Sequence, residues 1–427
     1  MIDGAHRLSA LIAWVHNDYG DKDISRKFFQ DDIPEEQIKA AERTRELVEA
    51  SIGSYGDHRR AIERPTEVRP EIAERATRLG WQKIPAQWIR NPDHEKAEKS
   101  FFRINQGGTP IDPIEARILN ARRSAIALAS RAILRAGTGH NYWDKFSRAT
   151  QDRIEELGKD IYGGLFEPEF SLPIKTLDLP MAGQGYGAHV LPLIFDLVAI
   201  VNDISTGKAE EFSDDPDGSD TIQYLQSARK MVWRLCSTNP SSLGLHPALY
   251  FYSRGGAFQP AALLSFALLF RDWDTDDFRT FTQVRPKIEK FLLDNRGITE
   301  AVRRLGSGGR SRPRMISFYN KLISDFGKGK TSEQVGRSLR RNPELSFLVV
   351  ETAPEPSSKD RKLSRDMKGA AFLRDALPQA PKCPTCGGLL HRNGMQAGHK
   401  KARRVGGEGT SENAQMQHPF CNSTMDQ

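Results

Sequence analysis

No stretch of this 427-residue chain approaches the roughly 18–20 uninterrupted apolar residues that a bilayer span needs. Its start, MIDGAHRLSA, lacks both the basic segment and the apolar core of a secretory signal. Cysteine is scarce: there are four, and three of them, Cys383, Cys386 and Cys421, gather near the C-terminus. Cysteines so few and so unevenly placed make no disulfide framework. They suit metal binding in a reducing compartment, so the chain reads as cytoplasmic with no membrane role. Cys236 stands alone in a helix-like stretch and reads as a buried apolar filler. Internal repeats and long low-complexity tracts are also missing. What is present is 38% hydrophobic and 27% charged residues, the balance of a soluble globular protein, at a length sufficient for two or three domains.

The charge is unevenly distributed. Residues 301–350 hold 11 Lys/Arg against 3 Asp/Glu, a net of +8, while the whole chain carries +7. A concentrated basic stretch suits a polyanion, because each neutralised phosphate releases counterions and adds affinity. Arg310, Arg312 and Arg314 are its candidate DNA contacts, although such a segment can equally be a solvated helical face.

Along the chain, residues 1 to about 115 alternate short apolar runs with amphipathic helices. MIDGAHRLSALIAWV reads as a strand end, a turn and a helix, PEEQIKAAERTRELVEASI as a helix, and KIPAQWI (83–89) as a short buried strand. From about Pro113 to Val350 apolar residues recur at spacings of three and four, as in EARILNARRSAIALASRAILRA, GAHVLPLIFDLVAIVND and QPAALLSFALLFRDW. These stripes are helical core seams. Residues 351–380 begin polar and rich in Pro and Ser, and read as a linker. The expected fold class is α+β, mostly helical.

The tail carries the most specific signal. Cys383 and Cys386 have the spacing that puts two thiolates on one metal, and His418 and Cys421 repeat it after 31 intervening residues. Four such ligands make a closed tetrahedral structural zinc site; the alternative is ligation by the three cysteines without His418. A segment of about 47 residues cannot bury a sufficient core, so this zinc is expected to hold residues 381–427 together.

Between the two ligand pairs lie groups that a zinc staple does not need. His399 follows Gly398 and precedes Lys400, Lys401, Arg403 and Arg404; then come Gly406-Gly407, Asn413 and, directly after Cys421, Asn422. Residues 381–427 resemble the HNH endonucleases, the ββα-metal nucleases. That resemblance implies His399 as general base toward water, Asn413 as the residue that orients its ring, and Asn422 as ligand of a catalytic Mg²⁺ or Mn²⁺. The basic residues 400, 401, 403 and 404 would clamp phosphates. A neutral imidazole can take a proton at pH 7, and a hard cation stabilises the charge on the phosphorane. Gly398 departs from the pattern, since a carboxylate or second His normally precedes the base. Gln396, Glu412 and Asp426 are the candidates to replace it.

A second resemblance lies at the start. IDGAHRLSALIAWV is similar to the D-G-Q-Q-R-L motif of GmrSD-type restriction-enzyme N-terminal domains, which are ParB/sulfiredoxin-like NTPases. FFRINQGGTPIDPIEARILNARR (101–123) is similar to the second block of that family. The resemblance covers residues 1–125, without the strands that the family carries ahead of the motif. It implies NTP binding by Asp3, Gly4, His6 and Arg7, with Asn105 and Gly108 nearby. A glycine turn lets phosphates approach backbone N–H groups, and an arginine supplies a bidentate partner.

The expected organisation is therefore a ParB-like nucleotide domain (1–125), a helical domain (126–350), a linker (351–380) and a zinc-stapled HNH domain (381–427). Two functions compete: a metal-dependent HNH nuclease, governed by the ParB-like NTPase or sensor domain, that restricts foreign or modified DNA, as in phage defence, and a ParB-like DNA-binding regulator with an inactive zinc module. An oligomer is compatible with either.

Overall fold

The computed structural model describes residues 5–28, 33, 35–83, 118, 121–138, 142–185, 190–205, 212–296, 302, 308–345 and 363–425. Two compact units divide the chain, Met1–Ile111 and Asp112–Gln427.

In the first unit the described residues form helices α1 (Ala5–His16), α2 (Asp23–Phe28), α3 (Glu35–Ser51), α4 (Tyr55–Glu63) and α5 (Pro70–Trp81). Local side-chain bonds start and join them. The Asp18 carboxylate accepts from the N–H groups of Gly20, Asp21, Lys22 and Ser25, so it caps the entry to α2. Ser54 and Asp57 form a reciprocal capping box on α4. Trp14 of α1 donates to the Gly53 carbonyl at 2.9 Å and packs its edge on Tyr55 and His58. The buried apolar centre is small: Ala61, Ile72 and Ala76. Among the described residues this unit contains no strand, and the strand expected over 83–89 lies outside them beyond Lys83.

The second unit has a large helical core. Helices α6 (Ala125–Leu134), α7 (Arg148–Phe166), α8 (Val190–Val201), α9 (Ser219–Leu235), α10 (Pro247–Tyr250), α11 (Pro260–Arg271), α12 (Thr275–Asp294), α13 (Gly308–Gly327), α14 (Ser332–Arg341) and α15 (Arg365–Ala376) build it. Their apolar stripes meet in one continuous cluster that includes Ile126, Leu157, Ile194, Phe195, Leu263, Phe266, Phe281 and Phe318. Each such side chain removed from water contributes about 1.5–3 kcal/mol before entropy is subtracted. The expected helices at 187–203 and 259–273 are present as α8 and α11. Ahead of α6, among the described residues, the chain turns at 121–123, Ser124 bridges to Asp214, and the Asp215 N–H donates to the Arg123 carbonyl. Pairing with that distant loop holds Ser124, the residue ahead of α6, in extended backbone.

Residues 365–380, expected as linker, are structured instead. Ser364 caps α15, and Leu373 and Leu377 are buried in the main cluster. Two apolar residues four apart on one helical face supply the anchor that the polar start of this segment conceals. After α15 the chain forms a cysteine turn, then strands β1 (Gln396–His399) and β2 (Ala414–Gln417), antiparallel, with Gly398 opposite Gln415 and His399 opposite Ala414. A π-helical turn, Cys421–Met425, follows. These elements share the compact unit 112–427, where the sequence reading separates them as a domain of their own.

Candidate metal centre

The cysteine turn sets the first two ligands. The Cys383 N–H donates to the Gly388 carbonyl and the Gly387 N–H to the Cys383 carbonyl, both at 2.8 Å. The Gly388 N–H points at the Cys386 sulfur at 3.5 Å. Strand β2 and the π-helical turn bring His418 and Cys421 to the same point, so that one ligand atom from each of the four residues lies within 4.8 Å of every other. The Nδ1 of His418 is 3.2 Å from the Cys386 sulfur and 4.0 Å from that of Cys421. A tetrahedral zinc with bonds of about 2.0–2.3 Å spaces its ligand atoms about 3.5–3.8 Å apart. The group is thus sized for zinc with His418 included.

The second layer fits that use. The Nε2–H of His418 donates to the Leu389 carbonyl at 3.0 Å, which fixes the tautomer and leaves Nδ1 as the lone pair aimed at the sulfurs. Burial, with Arg285 nearby, lowers the affinity of this ring for a proton, which keeps it in the ligating form. Hydrogen bonds from Cys386 and Cys421 pull the Cys383 thiol down, while those same contacts hold Cys386 up at about 11 and push Cys421 higher. A divalent cation held by these sulfurs would displace their protons, since thiolates are the ligating form.

A buried ion pair on α12 seats this turn. Arg285 Nε donates to Glu289 at 2.6 Å, both side chains being almost fully enclosed. The guanidinium also donates to the carbonyls of Leu243, Gly244 and Leu389, and Glu289 accepts from the Leu389 N–H at 2.6 Å and from Tyr250 at 3.0 Å. Gly388 lies so close to the guanidinium that a Cβ there would be 2.6 Å from Arg285 Nε. Further ties reach the body: Phe420 N–H to the Ser242 carbonyl, Ser423 to the Pro240 carbonyl, and Asn393 to the Glu167 carbonyl.

The residues expected to be catalytic fall on the hairpin. His399 ends β1, half-buried. Asn413 grips the loop that follows: its side chain accepts from the Lys401 N–H at 2.8 Å and donates to the carbonyls of Lys401 (3.1 Å) and Glu408 (2.7 Å), while its carbonyl accepts from the Lys400 N–H. Lys400, Lys401, Arg403 and Arg404 are all exposed on this loop, with Lys400 Nζ donating to the Glu412 carbonyl. The Oδ1 of Asn422, expected on a metal ion, instead accepts from Gln417 Nε2 at 2.7 Å. Gln417 is fully buried and held by Thr385 and Gln415. A Cβ at position 398 would lie 2.2 Å from Gln417 Nε2 and 2.6 Å from Asn422 Oδ1. The carboxamide of Gln417 thus fills the space beside Gly398, where the resemblance leads to the expectation of an acidic ligand. Of the suggested replacements, Gln396 is paired in the hairpin, Glu412 accepts from Ser411, and Asp426 lies outside the described residues.

Elsewhere, Arg312 is engaged with Asp196 at 2.5 Å and Arg314 is half-buried. An acid on the neighbouring helix α8 takes up the first of these candidate DNA contacts; the Arg310 side chain is outside the described residues. Asp3, Gly4, Asn105 and Gly108 are outside them too, as are the side chains of His6 and Arg7, whose backbone belongs to α1. No helix among the described residues is long and apolar enough to cross a membrane. Comparison with protein-family models, with curated proteins and with solved structures finds no match.

Proposed function

We propose that this protein binds nucleic acid, and that the zinc-stapled hairpin is a grip on the phosphate backbone and not a cutting site. The observation that carries the reading is the pair formed by Gln417 and Asn422: an amide N–H occupies the direction from which a cation would approach the Asn422 oxygen. Beside it, Asn413 holds a loop with four exposed cations, and a preorganised cationic loop binds phosphates without losing much side-chain and backbone freedom. Zinc in this reading supplies rigidity alone. Nucleotide binding through Asp3 to Arg7 remains part of the proposal on the sequence motif.

Fluorescence anisotropy with a labelled duplex tests the grip. Lys401→Glu/Arg404→Glu is expected to weaken binding by about tenfold or more, with a shallower salt dependence. Undiminished affinity in that variant would overturn the reading. Nuclease action is the second reading, favoured by His399 at the end of β1, whose neighbour Gly398 lies against the Asn422 side chain. Plasmid incubated with Mg²⁺ or Mn²⁺ is expected to stay supercoiled with wild type and His399→Ala alike; nicking by wild type that His399→Ala abolishes establishes the nuclease instead.

A further inference from the structure

The basic segment 301–350 meets solvent in a place its sequence does not mark. Helices α13 and α14 enclose a cleft of about 540 Å³ whose walls include Lys321, Lys330, Gln334, Arg337, Ser338 and Arg341. Three local features aim these groups inward. Gly329, with φ of +76°, ends α13; the Lys330 N–H then reaches back to the Asp325 carbonyl and the Gly329 N–H to that of Phe326, which folds Lys330 over the helix end. Thr331 and Gln334 cap α14 reciprocally and fix its start. Val335 and Leu339 bury themselves, so Arg337 and Arg341, four residues apart, share the opposite, exposed face.

The charge balance is one-sided. Lys330 and Lys321 both donate to Oδ1 of Asp325, at 2.7 and 3.3 Å, and that carboxylate is buried beneath them. One anion thus faces two ammonium groups. Arg337 and Arg341 have no ion-pair partner among the described residues, and neither Glu333 nor Glu344 lines the cleft. The lining therefore carries a surplus of three positive charges. Four cations held at one concave surface repel each other, and that repulsion is relieved when phosphates enter. The cleft continues into a recess lined by Leu268, Pro313 and Ile316, with Lys321 and Asn342 common to both. Among the described residues, none that lines either is aromatic, so those residues offer no platform on which a base could stack. Recognition here is of phosphate.

We infer that the α13–α14 cleft is a phosphate-binding site for a nucleic-acid backbone, separate from the loop of the zinc module. For its ligand this rests on the nucleic-acid reading above. Phosphate esters also occur in free nucleotides, and the test distinguishes the two sources.

The full-length, zinc-loaded protein is titrated with a labelled duplex of about 20 base pairs over a KCl series. Arg337→Gln/Arg341→Gln is expected to bind about tenfold more weakly, and the slope of log affinity against log salt should shrink by about 1.8, two phosphate contacts at about 0.9 each. Arg337→Lys/Arg341→Lys, which keeps the charges, should retain both. The thermal midpoint of each variant should match wild type, since both arginines are exposed. An unchanged slope in the Gln variant, beside a weakened Lys401→Glu/Arg404→Glu, overturns the cleft and leaves the loop standing. The converse pattern supports the cleft and removes the loop, and a wild type that binds no duplex removes both. ATP that binds wild type but not the Gln variant, beside a duplex affinity and salt slope that the Gln pair leaves unchanged, assigns the cleft to free nucleotide and overturns the polymer.

Discussion

His391 and His246 meet edge to face with ring centroids 5.3 Å apart, both almost fully buried. The Nδ1 of His391 accepts from the Asn393 N–H at 3.3 Å and sits 3.6 Å from the sulfur of Cys236, so its proton belongs on Nε2. That Nε2 and Nδ1 of His246 are buried with no hydrogen-bond partner among the described residues. Burial lowers His391 to about 4, with Asp178 opposing and Arg392 assisting, and burial followed by the charges of His391, Arg285 and His418 drives His246 well below 6.5. Cys236, expected from the sequence to be a buried filler, is one: burial pushes its thiol up to about 12. The consequence for stability has a definite sign. Unfolded imidazoles titrate near 6.5, so between that pH and about 4 the unfolded chain binds protons that the folded chain refuses. Stability contributed by keeping these rings neutral is complete above about 6.5 and is lost as pH falls. His391→Asn keeps an acceptor in place of Nδ1 but cannot titrate. Urea unfolding of this variant between pH 6.5 and 5 should show a pH slope shallower than wild type by about 1 kcal/mol per pH unit, most of one proton. Equal slopes would mean that His391 is already charged in the folded protein.

At the level of elements, the cysteine turn, the hairpin and α12 act as one joint. The ligand set was legible in the sequence because Cys-x-x-C and His-x-x-C spacings are dictated by metal geometry. So was the helical body, since its stripes follow the 3.6-residue period. The seat of the turn was not. Arg285 and Glu289 stand four apart, a pattern that ordinarily marks a solvated helix face, and only their position among Phe281, Val284, Ile288 and Leu292 hints that they point inward. Gln417 was equally hidden, because a glutamine in a strand carries no motif; its place is set by the empty space at Gly398. Zinc removal separates the parts of the joint. In Cys383→Ser/Cys386→Ser the helical far-UV signal should persist, because the main cluster belongs to the helices, while amide protection and protease resistance over 381–425 are lost. The midpoint should also drop, since Arg285 and Glu289 lose the backbone groups of Leu389, and exposing one side of a buried charge network costs about 3–5 kcal/mol. A variant with no bound zinc and undiminished protection over 381–425 would show that packing alone holds the turn.

For the whole molecule, the same contacts bear on whether residues 381–427 can live apart from the body. The sequence reading makes them an independent module folded by zinc, and for a short segment of this size that is the ordinary expectation. In the structure their own apolar cluster is little more than the three cysteines, Leu390, Met395 and Met425, whereas Leu389 and Phe420 belong to the core of the body. Phe420 lies against Phe278, Gly394 against Gly244, and the backbone of Leu389 completes the hydrogen bonds of Glu289. Two fragments decide the matter. A peptide of residues 381–427 with one equivalent of zinc should bind the metal yet show few slowly exchanging amides, because its main apolar anchors have nothing to bury against. The matching fragment 112–380 should melt well below 112–427, since it leaves Phe278 uncovered and one oxygen of Glu289 without a donor, and the zinc-loaded 112–427 should melt in a single cooperative transition. If instead the peptide folds on zinc alone and 112–380 melts at the temperature of 112–427, the two parts are independent after all. The ion pair on α12 would then be a feature of the helical body with no part in holding the metal centre.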